Sequence, residues 1–222
     1  MTASLAAPEL QNLSSTKSRI DSEIDSLIAA LPEPNSLTPE QRRGIIARYS
    51  AVLEGNFIYW MTATYLSVHS DAARPILVDN LMEEIRDCHP EMLRRFAIAA
   101  RAYPTDTDAM AVRDGLTKVR MFLGRLQGVQ NVLTMGFFES YIQRFMSYLA
   151  DLAVAQGSTE LEYTDVHGVC DVAHSEGLLM AFAAESAINP PAPSTDLFEG
   201  VDKLSALIQI INGSEYAAAH AA

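Results

Sequence analysis

The chain has 222 residues, of which 49% are hydrophobic and 20% are charged, and it carries a formal net charge of −12. This length and composition are typical of one globular domain with a sizeable core, and they exclude a disordered or fibrous protein. The excess of acidic residues disfavours contact with a phosphate backbone, so we expect no nucleic-acid partner.

The N-terminus and the cysteines predict where the protein resides. Residues 1–8 contain no basic residue and no sustained apolar run, so they do not resemble a signal peptide. No stretch approaches the roughly 18 to 20 uncharged apolar residues of a membrane span, and we expect no membrane association. The two cysteines, Cys88 and Cys170, are too few for a disulfide framework or a zinc ribbon. The sequence therefore predicts a cytoplasmic protein.

Apolar residues recur at helical spacing along almost the whole chain, and no segment shows the alternation of a β-strand. We predict an all-α protein with a flexible tail at 1–14, a single helical domain at 15–216 and a flexible tail at 217–222. Thr38, followed by Pro39 and by Gln41 three residues later, predicts a capped helix start. The predicted helices are 15–31, 38–69, 71–84, 89–103, 107–126, 128–156, one ending near 187, and 197–211. Their number is about seven, because 107–126 and 128–156 also fit one interrupted helix.

Three polar residues on the penultimate helix form the strongest local signal. His167, Asp171 and His174 are separated by four and then three residues, which places them within about 40° of one another on one helix face. The same face continues with the apolar residues Leu178 and Phe182. Two imidazoles and a carboxylate suit iron or another divalent transition metal. The alternative is a half-exposed helix with ordinary polar residues.

Three further helices each place a glutamate on an apolar face: Glu54, Glu84 and Glu139. Buried carboxylates need a counter-charge or a metal, and a common cation would explain all three together with the histidines. The alternative is pairing with basic side chains, for which the sequence offers four candidates, Arg48, Arg120, Arg125 and Arg144.

His89, which precedes Pro90 at a predicted junction between helices, completes the set of chelating residues. A two-metal cage built between helices needs carboxylates to balance charge and imidazoles to complete each metal. A histidine at this position would equally serve as a cap of the new helix, and this alternative stays open.

Three segments of the chain resemble the haem-oxygenase-like diiron oxidases and oxygenases. They are Asp79-Asn-Leu-Met-Glu-Glu84 followed by His89-Pro90, then Phe138-Glu139-Ser-Tyr-Ile-Gln143, and finally His167-x-x-x-Asp171-x-x-His174. The last motif is the most specific. The chain differs from the family pattern in its shorter link between Glu84 and His89.

This resemblance implies a haem-oxygenase-like helical bundle that binds two Fe(II) ions. The implied ligands are Glu84, His89, Glu139, His167, Asp171 and His174, with Glu139 bridging the two ions. Glu84 matches the family position better than Glu83. Some members use a further carboxylate from the first core helix, which Glu54 would supply.

The implied activity is reduction of O₂ to a bridging peroxide that oxidises a small amino-acid-like or fatty-acid-like substrate. N-oxygenation, desaturation and C–C cleavage are all known in the family, often in natural-product biosynthesis, and a homodimer is common for the fold. Arg48, Arg120 and Arg125 are candidates for binding a substrate carboxylate. Phe57, Tyr65, Phe138 and Phe182 are candidates for lining the pocket.

Two alternatives to the diiron enzyme remain at the level of sequence. One is a metal-free enzyme of the thiaminase-II or cofactor-handling type, which shares the helical fold and would need Cys88 or Cys170 as a nucleophile beside a base. The other is a non-catalytic helical interaction protein, which the acidic surface would suit.

Overall fold

The computed structural model describes the backbone of residues 7–213 and the side chains of residues 13–168 and 173–213. Within that part of the chain every regular element is helical and no β-strand is present, so the all-α prediction is confirmed. The nine α-helices are α1 (Ala7–Ala29), α2 (Pro39–Leu53), α3 (Asn56–Ser67), α4 (Ala73–Arg86), α5 (His89–Ala99), α6 (Asp106–Leu123), α7 (Gly128–Ala155), α8 (Glu162–Ile188) and α9 (Glu199–Ile211).

The expected number of about seven helices is wrong, because the described residues form nine. The segment predicted as one helix over 38–69 is divided at Gly55, whose φ of 76° lies in the left-handed region. Glycine adopts this conformation without the steric cost that a Cβ imposes, so the chain turns there and restarts as α3. The segments 107–126 and 128–156 are two separate helices, α6 and α7.

The first helix also begins earlier than the sequence pattern indicated. α1 starts at Ala7, inside the segment predicted to be a flexible tail, and its single proline, Pro8, stands in the first turn. Proline is tolerated at that position because the amide hydrogens of the first turn have no partner within the helix.

Two helix starts are defined by capping boxes. Thr38 accepts a hydrogen bond from the Gln41 amide, and the Gln41 side chain accepts one from the Thr38 amide, as the sequence predicts. Thr105 and Asp108 form the equivalent pair at the start of α6. Each box satisfies two amide groups that the helix itself leaves without partners.

Helix α7 lies at the centre of the molecule and packs against α1, α2, α3, α8 and α9, most extensively against α8. Its buried residues face nearly all directions, as expected for a helix surrounded by others. Phe138 of α7 packs edge-to-face against Trp60 of α3, with ring centroids 5.4 Å apart. Full burial of an aromatic side chain of this kind stabilises the fold by about 1.5–3 kcal/mol.

The packing brings four helices around one buried point near the middle of α7. Helix α4 packs on both α3 and α8, and α5 packs on α2 and α8. Residues of α4, α5, α7 and α8 therefore meet between these helices. Among the helices that the structure describes, none combines the length and the apolar character needed to cross a lipid bilayer.

Candidate metal centre

Glu84, His89 and His167 form a buried cluster in which one candidate ligand atom of each residue lies within 4.8 Å of the others. The three residues come from α4, α5 and α8, and none exceeds 5% exposure to solvent. We call these three residues the first half-site. A carboxylate and two imidazoles at this separation are a donor set that suits a divalent transition metal.

The contacts within the first half-site orient both histidines. His89 Nδ1 lies 2.7 Å from Glu84 Oε1, and the two imidazole rings are 4.4 Å apart between centroids. His167 Nδ1–H donates to the Tyr163 carbonyl oxygen at 2.8 Å, which directs Nε2 towards Glu84 Oε1 at 3.8 Å. A hydrogen bond from one ring nitrogen sets the tautomer and leaves the lone pair of the other available to a metal.

The electrostatics of Glu84 favour its ionised form. Burial by itself would raise the pKa of this carboxyl, but interactions with His167 and His89 lower it to about 2. A buried carboxylate that stays ionised and lies beside two imidazoles carries the charge that a cation requires.

A second group of polar residues adjoins the first half-site through Glu139. Glu139 of α7 is only 1% exposed, and it lines a small cavity together with Glu84, His89 and His167. Its Oε1 accepts a hydrogen bond from Asn80 Nδ2 at 3.2 Å, and its Oε2 lies 4.0 Å from His174 Nδ1. We call Glu139 and His174 the second half-site.

The cavity lined by the first half-site and Glu139 holds about 20 Å³, which is room for a water or an ion and too little for an organic substrate. Apart from the ligand candidates its lining is largely apolar, and the remaining residues are Leu53, Phe57, Ile58, Pro90, Leu93, Ile142 and Tyr163. Such a lining limits the access of water and strengthens the electrostatic interactions inside.

The short link between Glu84 and His89 is sufficient because of the conformation of Cys88. α4 ends at Arg86, and Cys88 adopts a φ of 57° before α5 begins at His89. This left-handed residue turns the chain sharply, and Pro90 suits the first turn of the new helix. His89 is consequently buried beside Glu84 although only four residues separate the two.

The structure gives different environments to the other predicted ligands. Glu54 does not join the cluster, because its carboxylate forms an ion pair with Arg94 at 2.6 Å and is partly exposed. Pairing with a basic side chain, the alternative weighed for these glutamates, holds for Glu54, although the partner Arg94 was not among the expected residues. The side chain of Asp171 lies outside the described residues.

The arginines proposed as substrate anchors lie in other environments. Arg48 donates to the Ile211 carbonyl oxygen, Arg125 pairs with Glu199, and the guanidinium of Arg120 stacks on Tyr59. Arg144, considered as a partner for the buried glutamates, pairs with Asp25. These contacts place their guanidinium groups in other parts of the fold.

Two residues that contact the site, Asn80 and Glu83, are not among the predicted ligands, although Glu83 is the glutamate compared with Glu84 in the sequence motif. Asn80 contacts Glu139, and Glu83 Oε2 lies 3.2 Å from His174 Nε2. Both precede Glu84 on α4, by four residues and by one. The spacing of Asn80 was a usable signal, since residues four apart share a helix face.

A test of fit comes from His89. Within the described part of the chain its Nε2 is a buried atom with no hydrogen-bond partner. An unsatisfied buried nitrogen costs free energy, and a metal ion would satisfy it. The residues present therefore fit a metal centre.

In comparison with known proteins, the chain matches no protein-family model, and no curated protein sequence is significantly similar to it.

Proposed function

We propose that this protein is a non-haem diiron oxidase or oxygenase with a haem-oxygenase-like fold. The observation that carries the proposal is the buried cluster of Glu84, His89 and His167, with Glu139 lining the same cavity. The resemblance of the three sequence motifs supports the same assignment. A metal site can also be purely structural. A catalytic role is favoured here because a surface groove beside the cluster would give a substrate access to it.

The two half-sites would each hold one ion. Glu84, His89 and His167 are the proposed ligands of the first, and Glu139 and His174 belong to the second, with Asp171 added by the sequence motif. Glu139 lines the cavity of the first half-site and its Oε2 lies 4.0 Å from His174, so its carboxylate would serve both ions. Iron, when bound, would supply electrons to O₂ and so activate it as the oxidant of the substrate.

The residues of the chain perform the remaining tasks. The carboxylates of Glu84 and Glu139 balance the positive charge inside an apolar surrounding. The carbonyl oxygen of Tyr163 holds the proton of His167 Nδ1, so the other nitrogen of the ring stays directed at the site. Phe57 and Ile142 exclude bulk water from the cavity.

A surface groove of about 310 Å³ offers a route for a small substrate. It shares Ile58, Glu84 and Pro90 with the metal cavity and is also lined by Glu54 and Arg94. A small amino-acid-like or fatty-acid-like molecule in this groove would approach the metal site from the side of Glu84. Action on such a substrate, and assembly as a homodimer, remain parts of the proposal.

Anaerobic loading with Fe(II) tests the proposed function. We expect two iron ions per chain, and consumption of O₂ with a change in the visible spectrum when air is admitted. His167→Ala should lose iron, whereas the matched control His69→Ala, at a histidine whose side chain is 70% exposed, should keep both ions. A panel of amino acids and fatty acids, with products measured by mass spectrometry, identifies the substrate.

Wild-type protein that retains only traces of iron would contradict the proposal. Equal iron content in the His167 and His69 variants would also contradict it, because the cluster would then have no role in binding.

A further inference from the structure

We propose that Asn80 and Glu83 are positioning residues, which hold Glu139 and His174 in the orientation that the second metal ion requires. This inference rests on the proposed function and extends it to two residues outside the predicted ligand set. Both lie on α4, the helix that also carries Glu84 of the first half-site.

The arrangement begins with the spacing of three residues along α4. Asn80, Glu83 and Glu84 are separated by three and then one residue, so they occupy neighbouring positions on one side of α4. Helix α4 packs against α8. Asn80 is 4% exposed and Glu84 is 5% exposed, whereas the side chain of Glu83 is 34% exposed. Asn80 and Glu84 are thus buried at the metal centre, whereas Glu83 lies at its partly exposed margin.

Asn80 acts on Glu139. Its Nδ2 donates to Glu139 Oε1 at 3.2 Å, and both residues are buried. The amide must present its NH₂ group to the carboxylate, since the carbonyl oxygen would place two acceptors against each other. One carboxylate oxygen of Glu139 is thereby held, and the other, Oε2, lies 4.0 Å from His174 Nδ1.

Glu83 acts on His174. An ionised carboxylate only accepts hydrogen bonds, so the 3.2 Å contact between Glu83 Oε2 and His174 Nε2 places a proton on Nε2. In a neutral imidazole the lone pair is then on Nδ1, the nitrogen that faces Glu139 Oε2. Glu139 Oε2 and His174 Nδ1 are then two electron-pair donors 4.0 Å apart, a separation at which both could contact one cation.

A metal-bound histidine commonly donates its other N–H to a carboxylate, and this contact fixes both the tautomer and the orientation of the ring. Glu83 and His174 have this relationship. The neighbouring glutamates of α4 therefore have different tasks: Glu84 is a proposed ligand of the first ion, and Glu83 orients a ligand of the second.

The test is an anaerobic Fe(II) titration of the full chain, followed by iron content and by near-infrared circular dichroism of the ligand-field bands. Glu83→Ala should lower the affinity for one of the two Fe(II) ions by about 10- to 100-fold and leave the affinity for the other unchanged. Asn80→Leu removes the amide hydrogen-bond donor and keeps a side chain of similar volume, and it should lower the affinity for the same ion. Asp79→Ala is the matched control, because Asp79 is an exposed acid one turn earlier on α4.

Glu83→Gln separates positioning from direct ligation. The amide oxygen still accepts a hydrogen bond from His174 Nε2, so this variant should bind the second ion within about 10-fold of wild type. If Glu83→Gln loses the ion as fully as Glu83→Ala does, Glu83 is itself a ligand and the inference is overturned. Circular dichroism in the far ultraviolet confirms that each variant is folded.

Equal affinities and spectra for Glu83→Ala, Asn80→Leu and Asp79→Ala would overturn the positioning roles while leaving the two-metal centre intact. Wild-type protein that binds no iron would instead overturn the proposed function, and the inference with it.

Discussion

Two buried carboxylates in this protein have opposite kinds of partner. Asp108, at the start of α6, is 4% exposed and accepts hydrogen bonds from Arg43 at 2.9 and 3.1 Å and from the Thr105 hydroxyl at 2.6 Å. Glu84 is 5% exposed and lies among two histidines. Burial alone would raise the pKa of either carboxyl, and in both cases the partners lower it.

The difference lies in what each partner offers to a metal. A guanidinium is permanently charged, presents only donors and has no lone pair, so the Asp108–Arg43 pair is complete. An imidazole loses its second proton near neutral pH and then presents a lone pair. The histidines beside Glu84 can exchange a proton for a metal ion, whereas the arginine beside Asp108 cannot, and that pair serves the fold.

The largest effect that sharpens this comparison is expected for Glu84→Ala. Removal of the carboxylate leaves His89 and His167 without the negative charge that binds the cation. We expect metal affinity of the first half-site to fall by more than about 100-fold, since even residues that only orient a ligand contribute 10- to 100-fold. Isothermal titration with Co(II) in place of Fe(II) measures the change. Unaltered Co(II) affinity would show that Glu84 is not a ligand.

Asp108→Asn should have its effect on stability and leave metal binding unchanged. The amide keeps the shape of the side chain but loses the charge that Arg43 and Thr105 contact. We expect the free energy of unfolding at pH 7 to fall by about 1.5–3 kcal/mol, the range for hydrogen bonds to charged groups. Urea denaturation measures it, and Asp106→Asn, an exposed acid in the same turn, is the control.

The same pair predicts a dependence on pH. Because the pKa of Asp108 is lowered in the folded protein, the unfolded chain binds more protons between the two pKa values, and stability falls as pH falls there. The contribution of Asp108 is fully present above the ordinary aspartate value of about 3.9 and is lost below it. The difference between wild type and Asp108→Asn should thus be constant above about pH 5 and shrink below pH 4. A constant difference down to pH 2 would contradict this account.

The smallest effect is expected for Glu54→Gln. Glu54 pairs with Arg94 in a partly exposed position, and ion pairs of this kind contribute about 0–1 kcal/mol. We expect a small change in stability and unchanged iron content. The resemblance implies instead that Glu54 is a ligand, so a loss of iron comparable to that of Glu84→Ala would support the ligand role and a rearrangement of the ion pair.

Much of the architecture was predictable from local patterns. The capping box at Thr38 and the start of α5 at His89 depend on residues within a few positions of one another. The division between α6 and α7 was one of two alternatives that the sequence left open. The break at Gly55 was missed because the apolar pattern continues across it, and a single left-handed residue leaves little trace in periodicity. Likewise, residues 7–13 lack a regular apolar face, although they form the first turns of α1.

The candidate site was predictable in its residue types and only partly in its contacts. The spacing of His167 and His174, and the apolar faces around Glu84 and Glu139, depend on helical geometry that the sequence carries by itself. Faces do not reveal which helix packs opposite. Arg94 lies 40 residues from Glu54 along the chain, and Glu83 lies 91 residues from His174.

The sequence by itself determined that the protein is helical, that glutamates on its apolar faces need a counter-charge or a metal, and which residues are candidates for the site. Helical periodicity and the cost of burying charge depend on residues close together in the chain, so they can be inferred from the sequence. Only the tertiary structure decided the partners: histidines for Glu84, an arginine for Glu54, and Asn80 and Glu83 beside the second half-site. These assignments follow from the packing of α4 between α3 and α8, which long-range contacts set.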